Sequence, residues 1–195
     1  TYSGTAGDGS DYSGVASVTI AAGASSASFS IATLQDVIGE GAENFTVAIA
    51  NAAGGNFESL LISGANGAQT TTITDDDTPT LAVSSPTVVE GGFAIFAVSL
   101  SNPSAAAVTF NPTLSSGTAT VGTDTSTALE YFNGTAWVAV PVGGVTLAAG
   151  STSVQLRVAT NDDVAAEGDE TFSLTASVTA GTTGNASATG TATIT

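Results

Sequence analysis

Apolar and polar residues alternate with a period of two along much of the chain. The pattern is clear in SVTIAAGASSASFSIATL (residues 17–34) and in STSVQLRVAT (residues 151–160). The first of these places four apolar side chains at alternate positions: Val18, Ile20, Phe29 and Ile31. A period of two predicts β-strands, because successive side chains of a strand point to opposite faces of a sheet. Gly, Asn and Pro bound these segments and no segment has a helical period, so the sequence predicts an all-β fold.

Two segments carry more specific predictions. FAIFAVSL (residues 93–100) has apolar side chains on both alternating sets, which indicates a strand that is buried on both sides. EYFNGTAWVAV (residues 130–140) predicts a β-hairpin, because Asn133-Gly134 suits a two-residue turn with positive φ.

An internal repeat divides the chain into two modules. SGTA at residues 3–6 recurs at 116–119, and VTIAAG at 18–23 recurs as VTLAAG at 145–150. DVIGEGAENF at 36–45 recurs as DVAAEGDETF at 163–172, and TTTIT at 70–74 recurs as TATIT at 191–195. We therefore predict that residues 1–79 are the C-terminal part of a first module, ending in the linker DDDTP, and that residues 80–195 are a second module. Pro79 favours an extended connection.

The first copy lacks the segment that opens the second, PTLAVSSPTVVEGGFAIFAVSLSNPS. A sandwich without its front strands has unpaired edges. We expect that the first residues of the chain are disordered, or that another chain supplies a strand by exchange or edge pairing.

Charge composition excludes several classes of function. The chain has 17 acidic residues, one basic residue and a formal net charge of −16, so it has no basic patch for nucleic acid or an anionic membrane. It has no uninterrupted apolar run of membrane-spanning length. It lacks His, Cys and Lys, which removes Ser-His and Cys-His nucleophiles, the usual zinc sites and Schiff bases. Only a carboxylate-pair hydrolase is left open among these enzymes, and we predict that the protein is not an enzyme.

The acidic residues fall at strand ends and turns, and several recur at fixed positions. Asp11 matches Asp124, Asp36 matches Asp163, Glu40 matches Glu167, and Glu43 matches Glu170. Loops at one end of a sandwich cluster, so these carboxylates could converge. Ca²⁺ takes about 6–8 oxygen ligands in a tolerant geometry, whereas Mg²⁺ demands a tighter octahedron. The recurrence favours a metal site over the alternative, that acidic turns only solvate the surface.

Several motifs resemble those of a known family. VVEGG, SGTA followed by an aspartate, NDDVAAEGDETF and a closing TIT-DDD are similar to Calx-beta modules, and more specifically to the immunoglobulin-like extender repeats of large bacterial repeats-in-toxin (RTX) adhesins. The resemblance implies tandem Greek-key β-sandwiches, the first truncated at its N-terminus, that bind Ca²⁺ near the next module. Carried over by position, the ligands it implies are Asp11, Asp36, Glu40, Glu43, Asp75, Asp76 and Asp77 in the first copy, and Glu90, Asp124, Asp163, Glu167 and Glu170 in the second.

The resemblance also implies a function. It points to a secreted, Ca²⁺-rigidified extender on the bacterial cell surface, acting in adhesion and biofilm formation, with neighbouring repeats of the same chain as partners. One alternative is a Ca²⁺-dependent module that binds carbohydrate or protein, and another is a Calx-beta calcium-sensing regulatory domain.

Aromatic and charged residues near the predicted hairpin have two interpretations. Tyr131, Phe132 and Trp137 could form a sugar-binding platform, but cross-strand packing is the simpler role. Arg157 lies on the polar face of a strand and could pair with an acid, and Glu130 is interpreted as a surface acid.

Overall fold

The computed structural model describes residues 1–164 and 168–195, and its regular structure is entirely β-strand. This confirms the predicted all-β class. The part of the chain that is described contains no helix, and hence none of bilayer-spanning length and hydrophobicity. The chain forms two compact units: residues 1–36 with 41–76, and residues 37–40 with 77–195.

The first unit has two small sheets. Its strands are β1 (Tyr2–Gly4), β2 (Tyr12–Ser13), β3 (Ala32–Thr33), β4 (Glu43–Ala48) and β5 (Ala68–Ile73). One sheet has the order β1-β4-β5, and the other pairs β2 with β3. Its core is small, because only Ala6, Tyr12 and Phe45 form its buried apolar cluster. The ring of Tyr12 stacks on that of Phe45 at a centroid distance of 4.4 Å.

The second unit is a β-sandwich. Its strands are β6 (Leu81–Val83), β7 (Thr87–Val88), β8 (Phe93–Leu100), β9 (Val108–Ser116), β10 (Glu130–Phe132), β11 (Trp137–Ala139), β12 (Val145–Leu147), β13 (Ser153–Ala159), β14 (Glu170–Ala180) and β15 (Ser187–Ile194). One sheet has the order β11-β10-β13-β8-β6, and the other has the order β12-β9-β14-β15-β7.

The strand order of the second unit is that of an immunoglobulin-like Greek key. Strands β8 and β9 follow each other in the chain but lie in different sheets, as do β13 and β14. The order β6-β8-β13-β10 in one sheet and β9-β14-β15 in the other reproduces the A-B-E-D and C-F-G sheets of that fold. Strand β7 joins the second sheet by a parallel pairing with β15.

The core of the sandwich follows from the period-two pattern. Phe96, Phe110 and Phe172 are fully buried, and the rings of Phe96 and Phe172 meet edge to face at 5.9 Å. In β13, Leu156 and Val158 point inward, as the alternation predicts. Burial of such side chains contributes roughly 1.5–3 kcal/mol each relative to their exposure to water.

The prediction that residues 93–100 are buried on both sides is wrong. The even positions of β8 face the core, but Phe93 and Ile95 are 47% and 42% exposed on the outer face. The outer face of a two-layer sandwich has no second layer above it, so apolar side chains there lie at the surface.

The prediction of strands across residues 17–34 is also wrong for most of that segment, because residues 14–31 contain no strand and only Ala32–Thr33, near its end, form one, β3. In the second unit the matching segment forms β12, which pairs with residues 108–110 of β9. Among the strands of the first unit, β1 to β5, none pairs with residues 14–31. Val18, Ile20 and Phe29 are consequently exposed.

The expected disorder of the first residues is wrong, since Tyr2–Gly4 form β1 and pair with β4. Strand supply by another chain stays a prediction.

The predicted hairpin is confirmed, but its predicted two-residue turn is wrong. Phe132 pairs with Trp137, so the loop has the four residues 133–136. Gly134 has φ +97°, whereas Asn133 does not have positive φ. Asn133 Oδ1 accepts hydrogen bonds from the backbone N–H groups of Thr135 and Ala136, and Asn133 N donates to Ala136 O at 3.0 Å, so the side chain and the backbone of Asn133 together close the loop.

Residues 84–86 connect β6 in one sheet to β7 in the other, and they pass so close to β15 that a glycine is required there. A Cβ at Gly190 of β15 would lie 2.1 Å from the carbonyl oxygen of Ser84. The crossing segment is bonded on both sides, because Ser84 Oγ accepts from Ala97 N at 2.8 Å and Ser85 Oγ accepts from Thr191 N at 3.0 Å. The backbone of this segment therefore has little freedom to move away.

We predict that Gly190→Ala destabilises the second unit by about 1–3 kcal/mol, because the methyl group overpacks against a fixed carbonyl. Gly143→Ala is the matched control, since a Cβ there meets open space and its φ is not positive. Urea unfolding followed by Trp137 fluorescence measures both. Equal unfolding midpoints for the two variants would contradict the prediction.

Candidate metal centre

The repeated aspartate closes the same turn in both units. Asp124 Oδ2 accepts a hydrogen bond from Thr120 N at 2.6 Å, and Asp11 Oδ2 accepts one from Gly7 N at 2.5 Å. The backbone amide of each aspartate also donates to the carbonyl of the same partner residue. Each carboxylate is half-buried and uses one oxygen to hold its own loop. The repeat therefore preserves a turn geometry as well as a residue type.

Three loops of the second unit converge at one end of the sandwich. Thr160 N donates to Gly92 O at 2.9 Å, which joins the loop after β13 to the loop that carries Glu90. Asn161 N donates to Asp124 O at 2.8 Å, and Asn161 Nδ2 donates to Thr123 O. The carboxylate-bearing loops predicted to cluster are thus connected through their backbones.

The other predicted ligands of the second copy lie next to these loops. Asp163 follows Asn161 by two residues and is exposed, whereas Glu90 and Glu170 are half-buried. Glu170 opens β14, whose next residue accepts a hydrogen bond from Ala119 at 2.9 Å. Glu167 lies outside the described residues. Among the second unit's carboxylates that are described, no three bring oxygens within 4.8 Å of one another.

In the first unit, the structure brings predicted ligands close together. Oxygens of Asp11 and Glu43 lie within 4.8 Å, as do those of Asp75 and Asp76. Backbone and amide donors hold the second pair, because Asp75 Oδ2 accepts from Gly41 N at 3.2 Å and Asp76 Oδ1 accepts from Gln35 Nε2 at 2.9 Å.

Three further predicted ligands flank these pairs in the chain. Asp36 is exposed beside Gln35. The second unit contains the other two, Glu40 and Asp77. Glu40 precedes Glu43 by three residues, and Asp77 follows Asp76.

Tyr12 experiences the negative potential of the first unit's turn. Burial raises the pKa of Tyr12, and the negative charges of Asp8 and Asp11 raise it further, because all of these disfavour the tyrosinate. The repeat does not reveal Asp8, since Val121 takes its place in the second copy. The only sign of Asp8 in the sequence is its position in the same loop as Asp11. In the structure, Asp8 Oδ1 accepts a hydrogen bond from Gly14 N at 2.8 Å.

The donor chemistry of these loops fits a hard divalent cation. The side chains that converge are carboxylates, whose oxygens are the preferred ligands of Ca²⁺ and Mg²⁺. The only basic side chain of the protein, Arg157, is bonded to Glu130 at 2.7 Å. Charge in the acidic loops is therefore not offset by a lysine or arginine.

An immunoglobulin-like sandwich with acidic loops at one end is the class that the fold and these loops define. The family model of the Calx-beta domain matches residues 74–195, which is more than half of the chain. The chain therefore belongs to the Calx-beta domain family. The model of the LapA domain matches residues 12–76. These matches support the resemblance inferred from the sequence motifs.

Solved structures with similarity to the chain include two described as Calx domains. The apo form of the Calx CBD1 domain is 17% identical, with 60% of this chain and 98% of that chain covered and a TM-score of 0.40. CBD12 from CALX1.2 is 16% identical, with 58% and 44% covered and a TM-score of 0.41. Domains 4 and 5 of the S-layer protein SbsC are 17% identical, with 65% and 58% covered and a TM-score of 0.32. A search of curated proteins returned no match.

We predict that Asp11→Asn lowers the pKa of Tyr12, because the change removes a nearby negative charge but keeps an oxygen for the turn. The folded-state pKa of Tyr12 is raised, so its contribution to stability is fully present below about pH 10 and is lost as pH rises through the folded pKa. Tyrosinate absorbance during alkaline titration measures the shift. Glu58→Gln, which removes a charge outside this turn, should leave the titration unchanged.

Proposed function

We propose that the protein is a non-enzymatic, Ca²⁺-binding extender module of a bacterial cell-surface adhesin. The observation that carries the proposal is the duplication of one acidic arrangement. The same aspartate-closed turn, beside a repeated acidic block, occurs in two copies within a chain that has a single basic residue. A single active centre would not require a second copy, whereas repeated ion sites would.

The carboxylates that would hold Ca²⁺ are those that converge on the acidic loops. In the first copy they include Asp11, Glu43 and Asp75, which are half-buried. In the second copy they include Glu90 and Asp124, on loops already joined by hydrogen bonds. When bound, Ca²⁺ would supply positive charge and would be coordinated by these carboxylate oxygens. The residues of this chain position the ligands and restrain the backbone around them.

An extender role follows from this chemistry. A cation shared by carboxylates from several loops would replace their mutual repulsion with attraction and would restrain the linker at residues 75–77. A stiff series of such modules would hold a distal ligand-binding domain away from the cell. Millimolar Ca²⁺ outside cells would occupy even weak sites of about 10⁻⁴–10⁻³ M affinity. The LapA and Calx-beta matches support this setting.

We predict that Ca²⁺ raises the unfolding temperature of both units and that EGTA reverses the effect. At a free concentration of about 100 times its dissociation constant, one site adds roughly 2.7 kcal/mol to the free energy of unfolding. Scanning calorimetry in Ca²⁺, in Mg²⁺ and in EGTA measures the change. We expect a smaller effect of Mg²⁺, because loop carboxylates rarely provide its strict octahedron.

Matched variants separate specific binding from charge screening. Asp124→Asn should remove most of the Ca²⁺-dependent stabilisation of the second unit, since Asn retains the turn's acceptor but loses the charge. Glu58→Gln changes the net charge by the same amount outside the repeated set and should retain it. If both variants and the unmodified protein gain the same stability from Ca²⁺, or none gains any, the metal-binding function is wrong.

A further inference from the structure

A row of side chains crosses the outer face of one sheet of the second unit. The strand register aligns Ile95 of β8 with Arg157 of β13, Arg157 with Glu130 of β10, and Glu130 with Ala139 of β11. Phe93, with Ile95, belongs to the apolar outer side of β8 that the sequence pattern had placed in the core. Exposed apolar side chains that adjoin polar groups often mark binding sites.

The only basic residue and the only tryptophan of the chain meet in this row. The guanidinium carbon of Arg157 lies 4.6 Å from the ring centroid of Trp137 and 4.2 Å from that of Phe93. Both distances are within the range of cation–π attraction. Phe132 extends the aromatic surface, with its ring 5.5 Å from that of Trp137. The guanidinium is thus held by an aromatic side chain on each of two strands.

The polar groups of this row have hydrogen-bonding capacity left over. Arg157 Nε donates to Glu130 Oε2 at 2.7 Å. Among the described residues, neither Nη group of Arg157 nor Oε1 of Glu130 has a hydrogen-bond partner. Ser126 Oγ accepts from Ala128 N at 3.0 Å, which leaves its own proton to donate. Fixed donors and an acceptor therefore remain side by side.

These groups line a pocket of 280 Å³. Its walls are formed by Phe93, Ser126, Ala128, Glu130, Arg157 and Ala159. The volume is near the lower limit of the range of about 300–1,000 Å³ that is common for ligand sites, which suits a single small ring. Arg157 and Glu130 are 24% and 36% exposed, so a ligand can reach both.

We propose that this pocket binds a neutral sugar unit of a glycan. A pyranose ring has hydroxyl groups at its edge and an apolar C–H face, which suits the part of the Phe93 side chain that Arg157 leaves exposed. A hydroxyl can accept from an Arg157 Nη group and donate to Glu130 Oε1 at once, and a neighbouring hydroxyl can accept from Ser126.

The charges around the pocket favour a neutral ligand over a charged one. An anion would be attracted to Arg157 but repelled by adjacent Glu130 and by a protein of net charge −16. A cation would be repelled by Arg157 at contact distance. The Arg157–Glu130 pair is neutral as a unit, so it can bind hydroxyl groups without a charged partner. The pocket contains one carboxylate, which makes it a poor metal site.

The inference is independent of the proposed extender function. The pocket uses none of the repeated acidic residues, so sugar binding should persist when Ca²⁺ is removed. A failure of Ca²⁺ to stabilise the protein would leave this proposal intact, and a failure of sugar binding would leave the extender function intact.

Trp137 provides a direct measurement, because its fluorescence is the only tryptophan signal of the protein. The intact chain is titrated with the methyl glycosides of glucose, galactose, mannose and N-acetylglucosamine, and with sialic acid, in EGTA and again in Ca²⁺. A glycan array extends the search to longer neutral and acidic oligosaccharides. The expected result is a saturable fluorescence change with at least one neutral sugar, of equal affinity in both buffers.

Variants locate the binding. Arg157→Lys removes the planar donor edge and Glu130→Gln removes the acceptor charge, and each should weaken binding by about tenfold or more, as loss of a hydrogen bond to a charged group does. Phe93→Ala should weaken it through loss of the apolar wall. Gln155→Ala is the matched control, because Gln155 is exposed two residues from Arg157 on the same strand and does not line the pocket.

Thermal unfolding shows which variants are folded. If Arg157→Lys does not fold, Glu130→Gln and Phe93→Ala still test the proposal. The proposal is overturned if no neutral sugar binds in solution or on the array, or if only acidic glycans bind. It is also overturned if EGTA abolishes binding, or if all folded pocket variants bind as tightly as Gln155→Ala.

Discussion

The excess of carboxylates over cations constrains the rest of this molecule. With 17 acidic residues and one arginine, internal ion pairs cannot neutralise the charge. The structure places several of the acids in loops, where backbone N–H groups serve as their donors, as at Asp11, Asp75 and Asp124. Such bonds hold the loops but leave most of the negative charge in place. A half-buried acidic loop of this kind could hold a cation, and this possibility joins the fold to the proposed function.

The two units bury very different amounts of apolar surface. In the second, both sheets contribute to a cluster that includes Phe96, Phe110 and Phe172. In the first, three buried apolar residues form the cluster, and Val18 and Phe29 line an open cavity of 420 Å³. Hydrophobic stabilisation scales with buried apolar area, so the first unit depends more on its loops and on whatever binds them. Ca²⁺ linkage would accordingly matter most where the core is smallest.

Local patterns predicted the fold well where a strand has a partner. Alternation located β13, and the Asn-Gly signal located the hairpin of β10 and β11. The same alternation gave no strand over residues 17–31, because a strand also needs a neighbouring segment to pair with. Sequence also could not decide which side of β8 is covered, since both sides are apolar. The repeat identified Asp11 and Asp124 as a matched pair. It could not show that each holds its own turn, because that depends on loop backbone geometry.

Both faces of β8 are apolar, and the side chains on its outer face need an explanation other than the core. A two-layer sandwich needs apolar side chains only on its inner faces, so Phe93 and Ile95 add little to folding where they lie. Isolated cation–π contacts and exposed ion pairs contribute about 1 kcal/mol or less each, so stability alone explains poorly why the single arginine and single tryptophan meet beside Phe93. The proposed ligand, which would use both the exposed aromatic surface and the guanidinium edge, would explain the whole arrangement. Under the two proposals, one sandwich would bind a cation through the charge of its loops and a neutral ring on the face of its sheet, and the two ligands would not compete.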